Sequence, residues 1–262
     1  MRIATWNVNS IRARIDRVLA WLDRTGTDVL AIQETKCADA KFPVEPFEQA
    51  GFTVAHHGLN QWNGVAIVSR IGIDDVETTF PGQPTWADQN VPEARALGAT
   101  CGGVRVWSLY IPNGRTLVDP HYEYKLQWLH GLRDAAAGWL QNDPDAQIGL
   151  LGDWNVAPLD SDVWDMSVFA EATHVSVPER EAFEAIQGAG FAEITRQHTP
   201  NAYTYWDYQQ LRFPRNEGMR IDFALASPAL ADRVQGAAID RDERKGKGAS
   251  DHVPVILELA GS

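Results

Sequence analysis

Hydrophobic and polar positions alternate along the chain with two different periods. Ile11, Ile15, Val18, Leu19 and Leu22 recur at helical spacing behind Ser10, a candidate N-cap, and Gly26 supplies a stop; this predicts an amphipathic helix over about 10–25. A second helix is predicted from Asp119-Pro120, where proline suits the first turn, with Leu126, Leu129, Leu132 and Leu140 on one stripe. A third covers about 178–188 with Phe183 and Ile186 inward. Between them lie short strand-like runs: Ile3–Trp6, Val29–Gln33, Val65–Ser69, Val104–Ile111, Ile148–Leu151, Ile221–Leu225 and Val253–Leu259. Such a mixture predicts an α+β or α/β protein with large sheets. No Ser/Gly/Pro linker divides it, and the Pro/Gly-rich piece Pro81–Pro92 is short enough for a surface loop, so residues 1–262 read as one domain. Trp6-Asn7-Val8 returns as Trp154-Asn155-Val156, an echo compatible with two related halves.

Composition narrows the class. The 262 residues, 44% apolar and 22% charged, can bury a sizeable core, which excludes a disordered chain, a collagen-like fibre and a disulfide miniprotein. Cys37 and Cys101 stand far apart and in no metal-ligand spacing, so buried or idle thiols in a reducing cytoplasm are expected. The N-terminus enters its first strand without the apolar stretch of a signal peptide, and no apolar run approaches the ~18 residues of a membrane helix; a soluble, unprocessed cytoplasmic protein without membrane contact is expected. Against 23 Lys+Arg stand 35 Asp+Glu, a formal charge of −12, which suits a small-molecule enzyme better than a protein that coats a polyphosphate. Basic residues nevertheless cluster at Arg12, Arg14 and Arg17, at Arg212, Arg215 and Arg220, and at Arg241, Arg244, Lys245 and Lys247. Local basic loops around an acidic centre permit contact with nucleic acid.

The candidate chemistry sits where apolar strands end. Ile3–Trp6 leads to Asn7 and Asn9, Val29–Ile32 to Gln33 and Glu34, and Ile148–Gly152 to Asp153 and Asn155. Asp222 lies inside an apolar run, and Ser250-Asp251-His252 precedes the last strand. Taken singly, Asn and Asp end strands routinely. Together, five strand ends delivering oxygen donors or an imidazole suit one hard divalent cation such as Mg2+. A Cys/His cluster for structural zinc, a Gly-rich nucleotide loop, a GxSxG elbow and a cysteine nucleophile setting are all missing from the sequence.

Six segments occur in an order that resembles the exonuclease III group of abasic-site endonucleases, within the endonuclease/exonuclease/phosphatase superfamily. They are Trp6-Asn7-Val8-Asn9, Ile32-Gln33-Glu34-Thr35-Lys36, Tyr110-Ile111-Pro112-Asn113-Gly114, Gly152-Asp153-Trp154-Asn155-Val156-Ala157-Pro158, Arg220-Ile221-Asp222 and Ser250-Asp251-His252. Tyr203-Thr204-Tyr205-Trp206-Asp207-Tyr208 adds to the likeness with the DNA-repair branch. The resemblance implies a DNase I-like αββα sandwich, with two packed mixed sheets flanked by helices and the active site in the loops at one end. It further implies a cofactor, Mg2+ with Mn2+ as a substitute, near Asn7, Glu34, Asp153, Asn155 and Asp251, with Glu34 the principal ligand. By the same resemblance Asp153 activates or orients water, Asn155 holds phosphate or that water, and His252, paired with Asp222, faces the scissile phosphate with Tyr110 and Asn113. Tyr205, Met219 and Ile221 stand at the positions of a pocket for a sugar without its base, and Trp206 is expected either to touch that substrate or to support the pocket wall.

Departures are few: Ser10 stands where glycine is common, Trp154 where Phe or Met is usual, and Met219 where Leu or Trp occurs. The implied activity is metal-dependent incision of duplex DNA 5′ to an abasic site, with 3′→5′ exonuclease and 3′-end cleaning, in base excision repair and by a monomer. Loops at Arg212–Glu217 and Lys245–Gly248 are expected to touch backbone phosphates. A same-fold phosphatase acting on lipid or inositol phosphates is the alternative, supported by the −12 charge; a catalytically silent scaffold is disfavoured by the intact acidic cluster.

Overall fold

A computed structural model describes residues 1–261. Its elements run β1 (Arg2–Asn7), α1 (Ile11–Thr25), β2 (Val29–Gln33), α2 (Val44–Gln49), β3 (Thr53–His57), β4 (Val65–Ser69), β5 (Asp74–Glu77), β6 (Ala96–Cys101) and β7 (Val104–Tyr110). There follow α3 (Pro120–Asn142), β8 (Ile148–Asp153), α4 (Met166–Phe169), α5 (Val177–Gly188), β9 (Ala192–Glu193), β10 (Asp222–Ala226), α6 (Pro228–Ala231), β11 (Val234–Ile239) and β12 (Val255–Leu259). The strands form two six-stranded mixed sheets, ordered β11-β12-β1-β2-β4-β3 and β5-β6-β7-β8-β10-β9. In each, one parallel pair, β1 with β2 and β7 with β8, sits at the centre of antiparallel neighbours. A helix makes each parallel crossover, as it must, α1 in the first sheet and α3 in the second.

Strand alternation sorts the core into three apolar layers. Ile3, Val29, Ala31, Val65, Ile67, Val104, Val106 and Leu151 point between the sheets. Ala4, Trp6, Leu30 and Ile32 point outward under α1, against Val18, Trp21 and Leu22. Leu109, Leu150, Phe223 and Leu225 point outward under α3 and α5, against Trp128, Leu132, Phe183 and Ile186. The result is the expected αββα sandwich.

The same alternation places the chemistry. Residues two apart share a face, so the inner series Ile3, Thr5 ends in Asn7, the series Val29, Ala31 in Gln33, and the series Val104, Val106, Ser108 in Tyr110. Leu151 leads to Asp153, and Ala224 to Asp222, which lies opposite Asp153 in register. Because β10 and β12 run antiparallel to their central neighbours, they begin at the end where β8 and β1 finish, Asp222 opposite Asp153 and Val255 opposite Thr5. Beneath this end a buried polar bridge joins the sheets: Thr5 Oγ1 donates to Gln33 Oε1 at 3.1 Å, and Gln33 Nε2 to Ser108 Oγ at 2.9 Å.

Several expectations need correction. Ser10 makes no side-chain cap; instead its N–H donates to the Glu34 carbonyl at 2.7 Å and Ile11 N–H to the Thr35 carbonyl at 3.2 Å, so the Glu34 loop itself caps α1. On α3 the buried face is Tyr124, Trp128, Leu129, Leu132 and Ala136, rotated from the predicted stripe, with Leu126 and Leu140 only half-buried. The tripeptide echo is not the mark of the related halves. Both sheets share one pairing pattern, but in chain order β1-α1-β2 corresponds to β7-α3-β8, which matches β1 to β7 and not to β8. Strands β3, β5, β9 and β11 escaped the sequence reading because they sit at or beside sheet edges, where one face is open and alternation is weak. β6 escaped it because Ala96, Gly98 and Ala99 are small residues of low strand preference that break up its apolar pattern.

Candidate active site

Asn7 is fully buried at the end of β1, and its Nδ2 donates to Glu34 Oε1 at 2.8 Å and to Asp153 Oδ2 at 2.9 Å. Its oxygen accepts from Asn9 N–H at 3.0 Å, so Asn7 enters the site as an amide bridge between two carboxylates rather than through its oxygen. Glu34 leaves β2 with φ 52°, a left-handed conformation unusual for a glutamate, and Asn9, Ser10, Lys36, Asn155 and His174 share positive φ around it. Strained backbone of this kind gathers at functional sites. Burial pushes the Glu34 carboxyl up, but Lys36 Nζ at 2.8 Å and the Asn7 amide outweigh it and hold the carboxyl below its ordinary value. Lys36 also donates to Asn9 Oδ1, whose Nδ2 donates to Asp251 Oδ1 at 3.1 Å.

Asp153 and His252 form the buried centre. Burial first, then the Asp222 and Glu34 charges, push Asp153 up to about 7, against the pull of His252. Burial alone would depress His252, but Asp222 and Asp153 reverse it and hold the ring protonated, up to about 10. Its Nδ1 donates to Asp222 Oδ2 at 2.9 Å, and its Nε2 faces Asp153 Oδ2 at 3.7 Å. Asp222 is fixed in turn by the Thr204 hydroxyl at 2.6 Å, while Trp6 Nε1 donates to the His252 carbonyl at 3.1 Å. One donor atom each from Glu34, Asp153 and His252 lies within 4.8 Å of the others, and the two carboxylates are the hard oxygens a divalent cation takes.

The remaining predicted residues surround a pocket of about 190 Å³ lined by Tyr110, Asn113, Asn155, Tyr205, Met219 and Ile221, together with Glu34, Asp153, Asp251 and His252. Burial and the neighbouring Glu34 carboxylate hold Tyr110 well above its ordinary value, so its hydroxyl keeps its proton. The Tyr205 ring packs against that of His252, with centroids 4.9 Å apart. Asn7 lies beneath the pocket and Asp222 behind His252, consistent with supporting positions. Trp206 does not line it: the indole is buried against Tyr203 and Phe213, so it backs the wall instead of touching a ligand. The basic clusters are also largely engaged within the chain. Arg212 and Arg215 both bind Glu217, Lys245 pairs with Asp242, and Arg220 is buried against Thr195 and Thr199.

One pocket residue escaped the sequence reading. His174 Nε2 lies 3.2 Å from Asn155 Oδ1 and 3.3 Å from Asn113 Nδ2, and burial first, then Lys125, drops its ring to about 4 and keeps it neutral. The Ser176-x-x-Glu179 capping box announces a helix start two residues later, but nothing local says that this start faces the strand ends.

Two packed mixed sheets, with carboxylates, amides and a charged imidazole at their common end, define a DNase I-like hydrolase. The Endonuclease/Exonuclease/phosphatase family matches residues 4–252, and the chain belongs to it. It is 28% identical to exodeoxyribonuclease III of Haemophilus influenzae, over 99% of this chain and 100% of that protein. Among solved structures it is similar to the 3′ phosphatase NExo from Neisseria bound to a product DNA hairpin (35% identity, TM-score 0.93, all of both chains). It is also similar to an AP endonuclease from Archaeoglobus fulgidus (33% identity, TM-score 0.91, 99% of both chains).

Proposed function

We propose that the chain is a metal-dependent DNA phosphodiesterase of base excision repair, incising duplex DNA 5′ to abasic sites and acting at 3′ ends as an exonuclease and end-cleaning enzyme. The observation that carries this reading is the convergence of Glu34, Asp153 and the Asp222–His252 pair beside a small pocket with one apolar wall. The names of the relatives, a DNA exonuclease, a DNA-bound 3′ phosphatase and an AP endonuclease, favour DNA over lipid or inositol phosphates.

Phosphodiester hydrolysis needs water in line with the leaving oxygen, compensation of charge on the nonbridging oxygens and help for a departing 3′ alkoxide. Glu34 and Asp153, held apart by Asn7, would bind Mg2+ or Mn2+, with Asp251 and Asn155 adding oxygens at the rim. When bound, such a cation would supply neutralisation of the charge that develops in the reaction. Asp153 orients the attacking water and accepts its proton. His252, kept cationic by Asp222, donates from Nε2 to the phosphate, joined by the Tyr110 hydroxyl and the Asn113 amide. Tyr205, Met219 and Ile221 receive the sugar without its base, and Trp206 stiffens that wall. The enzyme works as a cytoplasmic monomer.

An end-labelled duplex carrying one tetrahydrofuran abasic analogue tests the reading. With Mg2+ a single cut 5′ to the analogue is expected, abolished by EDTA and by Glu34→Ala. Asp153→Asn is expected to slow the single-turnover rate by roughly 10²–10⁴-fold. A ladder from the 3′ end without the internal cut would confine the activity to 3′ ends, and no cleavage of either kind by folded protein would overturn the DNA reading.

A further inference from the structure

Beside the site, but outside the six segments that resemble the family, a complete ion pair is buried. Lys125 of α3 and Glu179 of α5 have no exposed side-chain surface, and their charged ends are in direct contact. Lys125 Nζ also donates to the backbone carbonyl of Asn155 at 2.5 Å and to that of Asn113 at 3.2 Å. Glu179 Oε1 accepts from the backbone N–H of His174 at 2.8 Å, and its Oε2 accepts from the N–H and hydroxyl of Ser176. Three loops therefore terminate on two side chains: the one after β7, the one after β8 and the one before α5. The residues they carry, Asn113, Asn155 and His174, meet at their side-chain tips within 3.3 Å.

A buried ion pair is a poor way to stabilise a fold, since an apolar pair of equal volume commonly does as well. Burial pulls the Lys125 ammonium down from its ordinary value, and Glu179 opposes that pull. The other buried positions of α3 are Tyr124, Trp128, Leu129, Leu132, Ala135, Ala136 and a neutral His121, none of which carries a charge. What Lys125 supplies is a donor to two inward carbonyls that would otherwise lack a partner. Asn155 at φ 48° and His174 at φ 84° are conformations that last only where the surroundings enforce them.

We propose that the Lys125–Glu179 pair is a positioning device, which holds the Asn113, Asn155 and His174 loops in one arrangement about the scissile phosphate and acts on the chemical step, not on affinity for DNA. This rests on the phosphodiesterase reading and deepens it. The test compares wild type, Glu179→Gln and the double variant Lys125→Met/Glu179→Gln. Single-turnover cleavage is read in Mg2+ on a DNA that the wild type cuts, the DNA dissociation constant is read in EDTA, and folding is followed by circular dichroism.

The double variant, free of both charges, is expected to fold and to lose on the order of 100-fold in single-turnover rate, with DNA affinity within about threefold of wild type. Glu179→Gln keeps an acceptor for Lys125 and for His174 N–H, and is expected to lose less. A folded double variant with the wild-type rate would overturn the proposal, as would a loss confined to DNA affinity. Failure of both variants to fold would overturn it too, by making the pair a support of the fold alone. Wild-type protein inert on every DNA substrate would strike the phosphodiesterase reading, and this inference with it.

Discussion

His252 stays charged in a buried place because Asp222 sits on its Nδ1. Asp222→Asn removes that charge while keeping the shape, so the ring holds its proton less tightly. The expected outcome is a fall in single-turnover rate of roughly 10²–10⁴-fold with DNA binding little changed, read by rapid-quench cleavage and gel shift. A second histidine shows the opposite shift. Burial first, then Arg95 and Arg115, hold His121 down to about 4, and its Nδ1 accepts from Gly114 N–H at 3.1 Å, a bond that only the unprotonated nitrogen can make. A folded-state value below the unfolded one means that the unfolded chain takes up the proton first. The stability owed to neutral His121 is therefore present above about pH 6.5 and lost as pH falls toward 4, by about 1–3 kcal/mol in all. Urea melts at pH 7 and pH 4.5 should show a smaller difference in His121→Asn, whose amide oxygen can replace the acceptor, than in wild type.

Between elements, the closest approach near the site is that of β7 to β8. A Cβ on Gly152 would stand 1.9 Å from the Leu109 carbonyl oxygen, a backbone atom that cannot step aside. Gly152→Ala is expected to destabilise by about 1–3 kcal/mol or more and to displace Asp153, lowering both the melting temperature and the cleavage rate. At this scale much was legible. The central strands β1, β2, β4, β7, β8, β10 and β12 are buried runs with clear boundaries, and each long helix carries an apolar stripe. The edge strands were not legible, because a strand bonded on one side and wetted on one face has no distinct pattern. Nor was the rotation of α3, where aromatic residues and Lys125 take the inner face in place of Leu126.

Across the whole molecule, the net charge of −12 repels DNA while the site must admit it. Engagement of most arginines in internal pairs leaves few contacts to phosphates, so binding is expected to be modestly but measurably salt-dependent. Two or three neutralised phosphates would weaken affinity by roughly 10–40-fold between about 50 and 200 mM salt. Cleavage at subsaturating DNA should fall accordingly, while the single-turnover rate at saturation stays level. A salt-independent KM would mean that contact is made without ion pairing.

Local patterning by itself determined the central strands, the long helices and the polar residues that end those strands. Alternation then fixes each of those polar residues to the face of its own strand taken by the residues two apart, Asn7 with Ile3 and Thr5, and Tyr110 with Val104 and Val106. Only the tertiary structure decided that those faces oppose each other across two sheets, that Asn7 bridges Glu34 and Asp153 through its amide hydrogens, and that Trp206 lies behind the pocket wall. His174 and the Lys125–Glu179 pair were equally its decision. Each depends on where a loop or helix docks at long sequence separation, which is set by the packing of three core layers and leaves no local trace in the residues themselves.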